Sequence, residues 1–143
     1  EVDVVASQHR HHGVPHRQKP APQRRDDDSS HGKHGVPRNA DFVFDARCLP
    51  NPHWEPGLRH QTGLDNDVIE FLEREHAVHE LCDDIHNFLV SWVPRYDKDN
   101  RSYLSVAIGC TGGQHRSVYL VERIFSELGE QFGKIVKRHR ELE

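Results

Sequence analysis

At 143 residues, with 34% hydrophobic residues and a mean hydropathy of −0.83, the chain has the length of a single domain but is poor in apolar residues for a wholly folded one. Its formal net charge of −4 excludes broad nonspecific nucleic-acid binding by a monomer, so any RNA contact rests on a local basic patch, multiplied in a homo-oligomer. Three widely spaced cysteines, no signal-peptide core and no long apolar run argue against a disulfide framework and a membrane span, and read as a reduced, cytoplasmic chain.

The apolar deficit is concentrated at the N-terminus. No Leu, Ile, Phe, Tyr or Trp precedes Phe42, so the first forty residues are expected to add little to a core, and the folded unit to begin near residues 35–41. Charge divides at the same place: residues 1–40 hold 7 Lys/Arg against 5 Asp/Glu, and residues 41–143 hold 12 against 18. Residues 1–34 carry His9, His11, His12, His16, His31 and His34 among Arg, Pro and the run Asp26 to Asp28. Without fixed ligand spacing these histidines define no metal site, and the segment reads as a disordered or poorly ordered arm with Val2 to Ala6 as a short strand at most.

From Asp41 to Arg47 the pattern is that of a strand, and the two prolines of Leu49-Pro-Asn-Pro-His-Trp54 force a loop after it. Helix-start chemistry follows at Gly63 to Asp67, with Asp67 and Glu70 in capping-box spacing and Val68, Ile69, Phe71 and Leu72 as the apolar face. Val78, Leu81, Ile85, Phe88, Leu89 and Trp92 recur at helical steps, and Pro94 is expected to end that helix. Tyr103 to Gly109 predicts a buried strand, and His115 onward a helix burying Val118, Val121, Ile124, Phe125 and Leu128 before Gly129 stops it. Lys134 to Leu142 predicts a last strand. The order is that of an α/β fold, a small, mostly parallel sheet with crossover helices, whose ligands bind beyond the carboxyl ends of strands. Both strand-to-helix loops fall there, which would bring His53 and Arg116 to one edge of the sheet.

The run Val106 to Ser117 is a strand, a glycine turn and a helix start, the order that builds an anion cradle from main-chain N–H groups and the helix dipole. Arg116 at the helix start opposes the dipole unless an anion offsets it, with a salt bridge to Asp45 as the plainer reading. Thr111 adds a hydroxyl donor, and Gly112 and Gly113 either bare N–H groups or simply permit a tight turn. Cys110, Gly113, Arg116 and Ser117 also satisfy C-x-x-G-x-x-R-S, the pattern of cysteine-dependent phosphatases, in which Cys110 would be the nucleophile and Arg116 the phosphate holder. Such an enzyme needs a general acid, and the tempting Asp65 is accounted for by its place at a helix start.

The strings GCTGGQHRSV, GVPRNADFVFDARCLPNPHW, LRHQTGLD and KRHREL together resemble the C-terminal domain of the RapZ family of RNase adapter and nucleotide-binding proteins, over the last three quarters of the chain. The resemblance implies a division into an arm (1–34) and a RapZ-like domain (35–143). It implies a non-enzymatic RNA-binding adapter that senses a phosphosugar such as glucosamine 6-phosphate and regulates small-RNA processing by an endoribonuclease. Its phosphosugar contacts would be Lys33, in a degraded version of a family motif, with His53, Thr111, Gly112, Gly113 and Arg116. Its RNA contacts would be Lys134, Lys137, Arg138, His139 and Arg140. ATP or GTP would enter only through an N-terminal P-loop domain, since G-x-x-x-x-G-K-[ST] does not occur in this chain.

Overall fold

A computed structural model describes residues 2–8, 39–97, 103–129, 131–132 and 134–142. Its elements in chain order are β1 (Val2–Gln8), β2 (Phe42–Asp45), a single 3-10 turn (Pro52–Trp54), α1 (Asn66–Glu73), α2 (His76–Asp97), β3 (Leu104–Cys110), α3 (Arg116–Leu128) and β4 (Ile135–His139). The four strands form one sheet in the order β2-β3-β1-β4, with every pairing parallel. This is the α/β arrangement that the order of elements predicts. No helix among the described residues is long and apolar enough to cross a membrane.

Alternation along each strand sorts the residues onto two faces. Register places Val2, Val4 and Ala6 of β1 beside Leu104, Val106 and Ile108 of β3, and all six belong to the main apolar core. The helices supply the other half of that core through Leu72 of α1, Val78, Cys82, Ile85, Leu89 and Val93 of α2, and Val118, Val121, Ile124 and Leu128 of α3. Phe42 and Phe44 of β2 point the same way and meet the Phe88 ring edge-on at 5.1 and 5.5 Å. Each large aliphatic side chain fully withdrawn from water here contributes roughly 1.5–3 kcal/mol.

Strand β1 corrects the expectation that the first forty residues add little to the core. It runs beyond Ala6 to Gln8 in the centre of the sheet, and Val2, Val4, Val5 and Ala6 are all buried. Three valines in five residues are enough for a central parallel strand, because neighbours on both sides satisfy its backbone. Averaging over forty polar residues hides so short a segment. Residues 9–38 lie outside the described residues, and the Lys33 assignment lies there with them.

Two helix boundaries also differ from expectation. Helix α2 continues through Pro94 to Asp97, since a proline gives up only its own bond to the carbonyl four residues back and leaves the N–H groups of the last turn after it able to bond. Its buried stripe passes through Cys82 and Val93, leaving Trp92 41% exposed with the Arg95 guanidinium 4.1 Å above its ring. At α1 the N-cap position belongs to Asp65, whose carboxylate accepts the Thr62 N–H at 2.7 Å and closes the preceding turn. Asp67 accepts instead from the Gln61 amide at 3.1 Å, so no capping box forms.

Candidate functional site

Strand β3 delivers Cys110 to the carboxyl edge of the sheet, and residues Thr111 to His115 turn the chain into α3. Gly113 makes that turn possible. It has a φ of +72°, and a Cβ there would stand 2.5 Å from Glu141 Cγ and 3.1 Å from the Gln8 nitrogen, so both conformation and space require glycine. The following helix has no side-chain cap and no acidic residue in its first turn. Among the described residues, no backbone or side-chain acceptor takes the N–H groups of Gly112 to Ser117. An uncapped helix start with unpaired amides carries the positive end of the helix dipole.

Arg116 is only 3% exposed. Its Nη1 donates to the carbonyl oxygens of Arg47 at 2.9 Å and Leu49 at 2.8 Å, and its Nη2 to Thr111 Oγ1 at 3.3 Å. The Nε is buried without a hydrogen-bond partner among the described residues. The ion pair with Asp45 does not form, because that carboxylate is held by Arg47 at 2.7 Å. Arg116 therefore pins the loop after β2 to the turn after β3 with one side of its guanidinium, leaving N–H capacity on the other.

That pinning encloses a cavity of about 560 Å³. Its walls are Gln8 from the end of β1; Asn51, His53, Trp54, Arg59 and His60 from the loop after β2; and Cys110, Thr111, Gly112, Gln114, His115 and Arg116 from the turn. Two arginines and three histidines face this space and, among the described residues, no carboxylate does. His115 is 7% exposed, and its Nε2 has no partner among the described residues. Burial pushes its imidazole below the ordinary histidine range, against the raising effect of the Gln61 and Leu58 backbone. That burial disfavours the protonated form of His115.

Of the sequence-derived candidates, the fold brings His53, Thr111, Gly112, Arg116 and Cys110 to one cavity. Gly113 lies behind its wall, against Gln8 and Glu141. Cys110 Sγ and Ser117 Oγ share a hydrogen bond across 3.2 Å. Sequence reasoning missed Gln8, Asn51, Trp54, Arg59, His60, Gln114 and His115 as lining residues; the available signal was that a loop following a parallel strand faces the ligand edge as a whole. It also missed why Gly63 is a glycine. The Gly63 N–H donates to the Gln114 carbonyl at 2.8 Å, and a Cβ would run into the His115 carbonyl and stand 2.6 Å from the Tyr119 nitrogen.

A second, more open cavity of about 390 Å³ has Glu73, Glu122 and Glu127 around Arg123. Hydrogen bonds to Glu127 and Tyr119 outweigh burial and hold that guanidinium above its ordinary pKa, so its charge is already neutralised from within. The basic cluster is divided by strand alternation. Lys137 and His139 face α3, where both donate to Glu122 at 2.7 Å, while Arg138 faces the other way, 3.4 Å from the Asp3 carboxylate. Lys134 is exposed just before β4, and Arg140 is half-buried just after it.

The family model described as RapZ C-terminal domain matches residues 29–143. A nucleotide-binding protein of Cellvibrio japonicus is 59% identical over 110 residues, 77% of this chain and 37% of that protein. Namesakes from Saccharophagus degradans and Methylobacillus flagellatus are each 56% identical over 111 residues, 78% of this chain and 38% and 40% of theirs. The chain thus spans about two fifths of the length of these relatives.

Proposed function

The chain belongs to the RapZ C-terminal domain family, and on that premise we propose that it is a non-enzymatic adapter domain that senses a phosphosugar of the glucosamine 6-phosphate kind and regulates small-RNA processing by an endoribonuclease. The observation that carries the sensing half is the cavity at the start of α3, lined by two arginines, three histidines and no carboxylate among the described residues. A phosphate dianion at that helix start would complete the N–H groups left free there, with the Thr111 hydroxyl and the open side of Arg116 as further donors. His53 would reach the sugar from the opposite wall.

The RNA half rests on Lys134, Lys137, Arg138, His139 and Arg140, which need not act as one patch, since strand β4 presents them on two faces. Coupling between the halves has a physical route: the turn at Gly113 packs on Glu141, and the Arg140 N–H donates to the Ala6 carbonyl at 3.1 Å. A ligand that orders the turn would bias how the end of β4 is presented to RNA or a nuclease partner. The relatives' name, nucleotide-binding protein, describes longer chains. We assign their nucleotide to the parts this chain does not span, because the P-loop pattern is absent from its sequence.

Calorimetric titration of glucosamine 6-phosphate tests the sensing half, with Arg116→Ala and the milder Thr111→Val as variants that should weaken or abolish binding. Equal affinity in all three proteins, or none in the wild type, removes the proposal. For RNA, exchanging Lys137, Arg138 and Arg140 for Gln should weaken a gel shift across all sequences and lower its salt slope by roughly one per lost phosphate contact. A second reading, cysteine-dependent phosphatase, is favoured by the 3.2 Å approach of Cys110 Sγ and Ser117 Oγ. Release of an aryl alcohol from its phosphate ester, abolished by Cys110→Ser, would establish that reading instead.

A further inference from the structure

We propose that Trp54 is the stacking platform for the sugar ring, and so the residue by which the site tells a cyclic phosphosugar from an acyclic one. This rests on the phosphosugar reading of the same cavity and extends it from the phosphate to the body of the ligand. The cavity of about 560 Å³ is several times larger than a phosphate needs, so most of it serves whatever the phosphate is attached to.

Trp54 lines that space while 74% exposed, the most exposed of the large hydrophobic residues described. Leaving an indole in water is unfavourable unless something covers it. The chain's other exposed tryptophan already has a cover, the Arg95 guanidinium 4.1 Å above Trp92. Around the Trp54 ring the described aromatic partner is His53, with centroids 5.2 Å apart and ring planes at 85°, and most of the indole surface stays exposed beside it.

Its backbone is fixed for the purpose. Trp54 sits in the 3-10 turn, where its N–H donates to the Asn51 carbonyl at 3.3 Å and the Asn51 side chain accepts the His53 N–H at 3.1 Å. The rest of the wall is suited to hydroxyl groups: Gln8, Asn51 and Gln114 contribute amides that both donate and accept. A pyranose offers what this combination takes, a C–H-rich face for the indole and a rim of hydroxyls for the amides. An open-chain polyol phosphate offers the same phosphate and hydroxyls but no flat face.

The experiment uses the chain with Trp92→Phe, so that Trp54 is its sole tryptophan, and titrates inorganic phosphate, glucosamine 6-phosphate and glucitol 6-phosphate by calorimetry and indole fluorescence. Glucosamine 6-phosphate should shift the Trp54 emission, and phosphate alone should not. Trp54→Ala should weaken the cyclic ligand roughly three- to tenfold, leave phosphate and glucitol 6-phosphate unchanged and erase the preference between the two sugars; Trp54→Phe should restore most of the loss. If phosphate binds in an Arg116-dependent way but Trp54→Ala leaves the cyclic ligand's affinity unchanged, the stacking role is overturned and the cradle stands. If no ligand binds, both fall.

Discussion

Replacing Gly63 with Ala adds one methyl group at a place where the structure leaves none. The new Cβ would press on the His115 carbonyl, stand 2.6 Å from the Tyr119 nitrogen and 2.9 Å from Val118 Cβ, and two of these three are backbone atoms that cannot swing aside. The loop must back away from the start of α3, which strains or breaks the hydrogen bond from Gly63 N–H to Gln114. Overpacking costs about 1–3 kcal/mol and the lost hydrogen bond about 1 kcal/mol, for a total of roughly 2–4 kcal/mol. For a chain of this length that lowers Tm by about 5–15 °C. The same retreat carries Arg59 and His60 away from the cavity, so phosphosugar affinity should fall even at temperatures where the variant is fully folded. Thermal melts followed by circular dichroism measure the first effect and calorimetry at 15 °C the second. A Tm within 2 °C of wild type would refute the packing argument, and undiminished affinity the claim that this contact holds the wall in place.

Val4→Ala should destabilise by roughly 1.5–3 kcal/mol in urea titration, because Val4 is wholly buried in the central strand; a near-neutral result would mean that β1 is not part of the cooperative unit. Two depressed pKa values contribute to the acid side of stability. His115 is held low by burial, so its contribution is complete above the ordinary histidine value of 6.5 and is lost as pH falls through the lower folded value. His115→Gln should flatten the urea midpoint against pH in that window alone. Glu122 is also lowered, its hydrogen bonds from Lys137 and His139 overcoming burial, so its contribution is lost only as pH falls below about 4.5. Glu122→Gln should cost about 1 kcal/mol near neutral pH, where it weakens two charge-assisted hydrogen bonds, and little once the carboxylate is protonated.

Much of the site was legible in the one-dimensional pattern because the chemistry is local. The strand Leu104–Cys110, the glycine turn and the helix from Arg116 are contiguous, and an arginine at a helix start against the dipole is a conflict visible without coordinates. The prolines around His53 marked the second loop, and parallel topology required both loops to emerge at the same edge. Capping and helix ends were less legible. Asp65 or Asp67 could each have capped α1, and Thr62 decided between them by donating its N–H to Asp65. Pro94 could end a helix or sit in its last turn, and packing of Val93 and Tyr96 kept the helix going.

By itself the sequence determined which segments are strands and helices, where the turn needing glycine lies and which residues could cradle a dianion, since those follow from periodicity and backbone preference within a dozen residues. Only the tertiary structure decided that Val2–Gln8 fills the centre of the sheet, that Gly63 is a contact point, and that Arg116 spends half its guanidinium on the carbonyls of Arg47 and Leu49. The reason is common to all three: each depends on which atoms of distant segments come within 3–4 Å, and pairing across tens of residues leaves no local trace in the chain.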